Sequence, residues 1–188
     1  MSTWILLAIL AAAAIYVVAV FNRLVRQRNL VREGWSGIDV QLKRRTDLVP
    51  NLVETVKAYA AHERAVLEEV TAMRASSIAA SGVGRQATAE QGLQASLGKL
   101  LAVAEAYPEL KADKNFLALQ EQLAGIEDQL QMARRYYNGT VRNLNIVIQS
   151  FPSNLLAGML RFREEPYFQL DDRNEAAAPG IAFASPKS

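Results

Sequence analysis

The stretch that decides the fold is DKNFLALQEQLAGIEDQLQMARRYYNGTVRNLNIVIQSF, residues 113–151. Its apolar residues recur at steps of three and four, the spacing of one face of an α-helix. Asp113 is a residue type that caps helix starts, and Pro152 cannot continue the helix. The residues that define this predicted seam are Phe116, Leu123, Ile126, Leu130, Tyr137 and Leu144, and the spacing continues to Phe151. A helix of about 54 Å with one apolar face must pack against partners to be stable.

Two further segments show the same helical spacing. Residues 31–73 form the first, with a predicted kink or helix boundary near Val49 because Pro50 lacks a backbone donor. Residues 93–107 form the second, and residues 79–88 between the two predict a flexible surface connection. Three apolar stripes must bury one another, and no alternating strand pattern competes with them. We therefore predict an all-α fold, an antiparallel, coiled-coil-like bundle of three to four helices.

An uncharged apolar stretch, WILLAILAAAAIYVVAVF, covers residues 4–21. It approaches the length of about 20 residues that crosses a hydrocarbon core. A cleaved signal peptide is the alternative, but no basic residue precedes the stretch, which is longer than a usual signal-peptide core. We therefore expect an uncleaved single-pass transmembrane helix. The predicted organisation is an N-terminal segment and anchor over residues 1–21, a helical bundle over 22–163 and a loosely packed tail over 164–188. Within the tail, residues 167–170 are the candidate for docking on the bundle.

The residues at the ends of the apolar stretch predict how it lies in a membrane. Aromatic residues favour the membrane–water interface, and arginines are retained on the cytoplasmic side. The predicted interface residues are Trp4, Phe21, Arg23, Arg26, Arg28 and Arg32. The four arginines precede the first acidic residue, so we expect the N-terminus outside and the C-terminal domain in the cytoplasm. They are compatible both with an ordinary solvated helix face and with contact to anionic lipid headgroups.

The composition argues against most kinds of catalytic site. The chain has no Cys and one His, which excludes disulfides, thiolate sites and His-rich metal centres. His62 and Glu63 do not complete an HExxH motif because Val66 stands where the second His belongs. No glycine-rich phosphate-binding motif occurs, and a net charge of +2 gives little support for nucleic-acid binding. We expect a non-enzymatic protein with no cofactor, no metal and no nucleic-acid partner.

Three sequence blocks occur in a characteristic order. They are RRTDLVPNLVETVKAYAAHE (44–63), AEAYPELKADKNFLALQEQL (104–123) and ARRYYNGTVRNLNIVIQSFPSN (133–154). Together they resemble the LemA family, with one departure, since Leu144 precedes Asn145 where the family has a second Tyr–Asn pair. The resemblance implies a bacterial single-pass inner-membrane protein with a long helical bundle and no established catalytic activity. Relatives in that family are associated with envelope stress, membrane proteases and, in one case, magnetosome membranes.

The resemblance also highlights five polar residues at or near the apolar faces. They are Asp47, Asn51, Asn138, Arg142 and Asn145. Buried polar groups must be paired and then specify helix register, as a buried Asn does in coiled coils. The alternative is that these residues lie one step outside the seam, in water. Our preferred pairing joins Asp47 to Arg45 or Arg142 across the bundle.

The expected function is that of a scaffold or adaptor that forms homo-oligomers at the bacterial membrane. Alanines are frequent in the apolar stretch, and small residues allow close helix contact in lipid. The expected partners are membrane lipid and further copies of the chain. Two alternatives remain open at this point: an accessory regulator of a membrane protease or other envelope enzyme, and a lipid-binding sensor that uses the arginines after the anchor.

Overall fold

A computed structural model describes residues 2–169 of the chain. This part of the chain is helical and contains no strand. Its helices are α1 (Ser2–Tyr59), α2 (Arg64–Ala79), α3 (Val83–Glu105), α4 (Pro108–Lys111), α5 (Lys114–Gln149) and α6 (Ser153–Met159). The four long helices α1, α2, α3 and α5 form the bundle, so the predicted all-α class is confirmed.

Helix α1 continues through Pro50 without a break, and the predicted boundary near Val49 is wrong. Proline has no backbone N–H, which leaves the carbonyl oxygen of Thr46, one turn earlier, without its helical donor. The guanidinium of Arg74 supplies the missing donor, because its Nε lies 2.7 Å from that oxygen. A side chain of α2 therefore compensates for the hydrogen bond that the proline removes from α1.

Helix α5 runs antiparallel along α1. At its start, the side chain of Asp113 caps the helix and accepts a hydrogen bond of 3.2 Å from Tyr59 Oη at the end of α1. Farther along, Gly34 lies so close to α5 that a Cβ atom on it would be 3.1 Å from Tyr137 Cα. If the same antiparallel alignment is followed to Gln149, the C-terminal end of α5 lies beside the end of the apolar stretch of α1.

The predicted seam of α5 lies against the rest of the bundle over most of its length. Phe116, Leu123, Leu130, Tyr137 and Leu144 are buried, and Ile126 is partly buried. The proposed continuation to Phe151 is wrong, since that side chain is 80% exposed. The reason is that α5 ends at Gln149 and Ser150 adopts extended backbone, which turns the following residue away from the seam.

The connection between α2 and α3 is much shorter than the predicted flexible segment of residues 79–88. Helix α2 ends at Ala79 and α3 already begins at Val83. Gly82 makes the turn with a φ of 83°, a conformation that glycine adopts without steric cost. Gln86, inside the predicted connection, is buried on α3. The small residues of this segment therefore allow a tight turn between α2 and α3.

Two apolar cores lie along α1. The distal core joins the last third of α1 to α2, α3, α4 and the start of α5, and includes Leu52, Val56, Val70, Leu93, Leu97, Leu100, Leu110 and Phe116. The proximal core joins the middle of α1 to the second half of α5 and to α6, and includes Leu24, Val31, Ile38, Leu42, Leu130, Tyr137, Leu144, Ala157 and Phe168. Burial of these side chains stabilises helices that would be marginal in isolation.

Candidate functional site

The N-terminal part of α1 carries the apolar stretch, most of which is exposed. Residues 3–19 are exposed, although they are the most apolar part of the sequence. By length and composition this helix can cross a membrane. Val20 and Leu24 are the first residues of α1 that are buried in the proximal core. The bundle therefore begins where the apolar stretch ends.

The predicted interface residues lie at the two ends of this stretch. Trp4 and Phe21 are exposed, as are three of the four arginines, Arg23, Arg26 and Arg32. Arg28 differs, because it is half-buried and its guanidinium carbon lies 4.9 Å from the centre of the Phe162 ring. Such a cation–π contact attaches the segment that follows α6 to α1.

A cluster of buried charges lies between the two cores. Arg45 of α1 is at its centre, with a side chain that is only 3% exposed. Its Nη2 is 3.3 Å from Glu127 Oε2 on α5, and its Nη1 is 3.6 Å from Glu90 Oε2 on α3. One guanidinium thus bridges carboxylates from two other helices. Buried charges must be paired in this way to remain ionised in a folded protein.

Glu90 is fully buried and has polar partners on α2 and α3 as well. Its Oε1 accepts hydrogen bonds from Ser77 Oγ and, at 3.1 Å, from Gln86 Nε2. The same Gln86 amide also donates to the carbonyl oxygen of Ser77 at 3.2 Å. Through Glu90 the cluster therefore includes all four long helices, and its polar geometry defines how they are rotated relative to one another.

Arg134, two turns after Glu127 on α5, is the second buried cation of the cluster. Burial lowers the pKa of its guanidinium, an effect that the nearby Glu127 carboxylate opposes. Its guanidinium carbon lies 5.1 Å from the centre of the Phe168 ring. Arg45 and Arg134 together balance the charges of Glu90 and Glu127. The arrangement is suited to holding helices in register.

The predicted pairing of Asp47 with Arg45 or Arg142 is wrong. Asp47 is exposed and forms an ion pair of 2.9 Å with Lys43 on the preceding turn of α1. Arg142 is also exposed, as is Asn51. The reason is angular: Arg45 lies on the inward face of α1, and Asp47, two residues later, lies about 200° around the helix.

Sequence reasoning overlooked Glu90. Glu90 extends the Leu93 and Leu97 stripe by one step of three, a signal that places a charged residue on the inner face of α3. No local sequence pattern indicates that Arg45 of α1 is the residue that pairs with Glu90.

Residues 164–169 form an extended strap that packs on the proximal core through Phe168. We predicted a loosely packed tail from residue 164 onward, with residues 167–170 as its candidate for docking, and Phe168 lies within that candidate. The side-chain amide of Asn145 makes two hydrogen bonds of 3.0 Å with the backbone N–H and carbonyl of Glu165. Asn138, two turns earlier on α5, does the same with Phe168 at 2.9 and 3.1 Å. These two amides therefore hold the strap, whereas we expected them to specify contacts between helices. The remainder of the predicted tail, residues 170–188, lies outside the described residues.

Aromatic side chains complete the contact between the strap and the bundle. Phe168 is buried, and its ring centre is 6.1 Å from that of Trp35, which in turn lies 5.6 Å from that of Tyr137. Tyr137 Oη donates to the carbonyl oxygen of Pro166 at 2.9 Å. Burial, aided by the charge of Glu165, raises the pKa of Tyr137 to about 12. The hydroxyl therefore remains a donor at neutral pH.

His62 is exposed in the turn between α1 and α2. Within residues 2–169, no group of three or more His, Asp or Glu side chains is arranged to hold a metal ion.

The sequence model of the LemA family matches residues 34–183. The chain belongs to the LemA family. This confirms the resemblance seen in the three sequence blocks, and the match begins inside α1, at the glycine that packs against α5. In this LemA-family chain the matched region includes the buried charges, both asparagines that hold the strap and the strap itself.

Similar proteins occur in Paramagnetospirillum magneticum, Magnetospirillum gryphiswaldense and Metamycoplasma hominis. Magnetosome protein MamQ 2 of Paramagnetospirillum magneticum is 25% identical over 175 residues, which cover 79% of this chain and 64% of that protein. Magnetosome protein MamQ of Magnetospirillum gryphiswaldense is 24% identical over 159 residues, 71% of this chain and 58% of that protein. Protein LemA of Metamycoplasma hominis is 27% identical over 155 residues, 80% of this chain and 69% of that protein. The chain thus spans less than two thirds of the MamQ proteins it matches.

Proposed function

We propose that this LemA-family protein is a non-enzymatic scaffold, anchored in the bacterial inner membrane and self-assembling through its apolar stretch. The observation that carries the proposal is the continuity of α1, which runs as one helix from the exposed apolar stretch into both cores. At the helical rise its 58 residues span about 87 Å. Anchor and bundle thereby form one rod, which holds the distal end of the bundle at a set distance from the membrane.

The charges beside the apolar stretch support a cytoplasmic bundle. Arg23, Arg26 and Arg32 are exposed and precede Glu33, the first acidic residue. By the positive-inside rule, such a concentration of arginines stays on the cytoplasmic side. The N-terminus is then outside and the helical bundle inside the cell.

The names of two relatives support a role in an assembled structure. Both MamQ proteins are named as magnetosome proteins. Proteins of an assembled structure bind one another through extended surfaces, which a rigid rod provides and which require no catalytic pocket. The ionic cluster agrees with a structural role, because Arg45, Glu90 and Glu127 are engaged with one another.

The apolar stretch offers one face for self-association. Ala8, Ala12 and Ala19 share a side of the helix with one larger residue, Ile15, whereas Leu10 and Val17 lie on the opposite side. Small side chains let two helices approach closely in lipid, where packing drives association. Anchoring also confines the molecules to a surface, which raises their effective concentration.

Cysteine crosslinking tests self-assembly directly, because the natural chain has no Cys. We expect Ala12→Cys to give disulfide-linked dimers in oxidised native membranes at native abundance. Leu10→Cys is the matched control on the opposite face and should give few or none. Absence of self-crosslinks at Ala12, together with crosslinks to another membrane protein, would contradict self-assembly and favour an accessory subunit of an envelope enzyme such as a protease.

A further inference from the structure

The corner between α5 and α6 lies at the end of the bundle nearest the apolar stretch. The antiparallel register that joins Gly34 to Tyr137 brings Gln149, the last residue of α5, level with about residue 21 of α1. The Phe162 ring, just beyond α6, stacks under Arg28, which lies about two helical turns from that level. If α1 crosses the membrane through its apolar stretch, the α5–α6 corner is at the membrane surface.

This corner exposes large apolar side chains. Phe151 is 80% exposed, Leu155 59% and Met159 81%, and the neighbouring Leu160 is exposed as well. Leu155 and Met159 are one turn apart and share a face of α6, whose other face buries Ala157 in the proximal core. We call Phe151, Leu155, Met159 and Leu160 the corner patch. Contiguous exposed apolar side chains on a soluble surface mark an interaction site.

Basic residues accompany the corner patch. Arg161 and Arg163 follow it directly and are exposed, and Arg23 and Arg26 are exposed at the same level of α1. Glu164, which is exposed, and Glu165, which is half-buried, follow in the same segment, so the four arginines outnumber these two acids. An apolar face bordered by arginines is the pattern of helices that lie in the interface of an anionic bilayer.

The backbone of Arg161 gives a second, independent reason to consider its side chain functional. It adopts a φ of 58°, the left-handed conformation that ends many helices and in which glycine is favoured. The backbone N–H of Phe162 donates to the carbonyl oxygen of Ala157 at 2.9 Å, which closes this helix end. An arginine at this position is strained compared with glycine, and strained backbone is frequent at functional sites.

We propose that the corner patch and Arg161 form a second membrane contact, in which α6 lies in the headgroup region of the anionic bilayer that α1 crosses. This inference rests on the anchoring of α1 proposed above and adds to it. The apolar side chains enter the outer acyl region, while the arginines bind lipid phosphates. The second attachment point fixes the tilt of the rod relative to the bilayer and keeps the α6 end of the bundle against the membrane surface.

Spin labels at single cysteines test this contact in the full-length protein. The protein is reconstituted into vesicles of phosphatidylethanolamine and phosphatidylglycerol, and the accessibility of each label to oxygen and to a water-soluble nickel chelate is measured. The labelled variants are Met159→Cys in the corner patch, Leu10→Cys in the anchor and Ile78→Cys as control. Ile78 is 59% exposed at the end of α2, about 30 Å farther along the bundle.

We expect the oxygen-to-nickel accessibility ratio at Met159 to be several-fold above that at Ile78 and below that at Leu10. A ratio at Met159 equal to that at Ile78, with Leu10 in lipid, would overturn this inference and leave the anchor intact. A label at Leu10 accessible to nickel would instead overturn the proposed anchoring. Low accessibility at Met159 to both reagents would show that protein covers the patch, and would also overturn a lipid contact.

Replacing Arg161 separates a lipid contact from a structural role. Arg161→Gly relieves the left-handed backbone, so the melting temperature should stay the same or rise. In the same variant, the accessibility ratio at Met159→Cys should fall toward the value in vesicles of phosphatidylcholine alone. An unchanged ratio in anionic vesicles would refute the assignment of Arg161 to lipid phosphates.

Discussion

Removing the charge of Arg45 tests whether the bundle depends on its buried ionic cluster. Arg45→Met retains a long apolar side chain but takes away the cation between Glu90 and Glu127. Glu90 is fully buried, and its remaining hydrogen-bond partners, Ser77 and Gln86, are neutral. Breaking a buried ion pair by removing one partner costs about 3–5 kcal/mol, because the other charge stays buried without compensation.

Two further variants give this prediction its internal controls. The double variant Arg45→Met/Glu90→Leu removes both charges and leaves Arg134 and Glu127 balanced. Replacing a buried pair by apolar residues is often neutral, so the double variant should recover most of the lost stability. Lys43→Met breaks an exposed pair on the neighbouring turn of α1, which contributes only about 0.3–0.5 kcal/mol.

Thermal unfolding of the full-length protein in detergent, followed by circular dichroism, measures these differences. A loss of 3–5 kcal/mol corresponds to a decrease in melting temperature of about 6–20 °C for a chain of this size. Lys43→Met should melt within about 2 °C of the parent on the same scale. The reasoning is refuted if Arg45→Met melts with Lys43→Met, or if the double variant is as unstable as the sum of its single variants.

Other consequences of the structure can be measured on the same full-length protein. Arg74→Met should lower the free energy of unfolding by about 1–3 kcal/mol, because the carbonyl oxygen of Thr46 is then left without a donor. Adding Pro50→Ala should restore the lost stability, because alanine supplies the backbone N–H that proline lacks. Gly34→Ala should destabilise the protein because a Cβ atom there meets the backbone of α5. Gly37 has open space around it, so Gly37→Ala should raise the free energy of unfolding by about 0.5–1 kcal/mol. Equal effects of the two variants in thermal melts would contradict the close contact at Gly34. Asn145→Ala should release the strap and accelerate its cleavage in limited proteolysis, and equal cleavage rates would count against the two amide hydrogen bonds. A reporter fused to the C-terminus should be active only in the cytoplasm, and activity outside would reverse the proposed topology.

The existence of the helices and of the apolar stretch was determined by the sequence alone. The period of α5, its cap at Asp113 and the uninterrupted apolar stretch are properties of residues that are close together along the chain. They require no knowledge of neighbouring helices, because hydrogen bonds, capping and apolar length act over one or a few turns. The seam of α5 was predictable for the same reason, since periodicity states which residues share a face.

The tertiary structure decided which faces meet. Pro50 stays inside α1 because Arg74 of another helix reaches the carbonyl that it frees. Arg45 has Glu90 and Glu127 as partners because α3 and α5 present those residues at its level of the bundle. Asn145 binds a strap that follows it in the chain instead of a helix. Periodicity orients a side chain about its own helix axis, but the partner depends on the rotation and axial shift between helices, which only packing of the whole bundle sets.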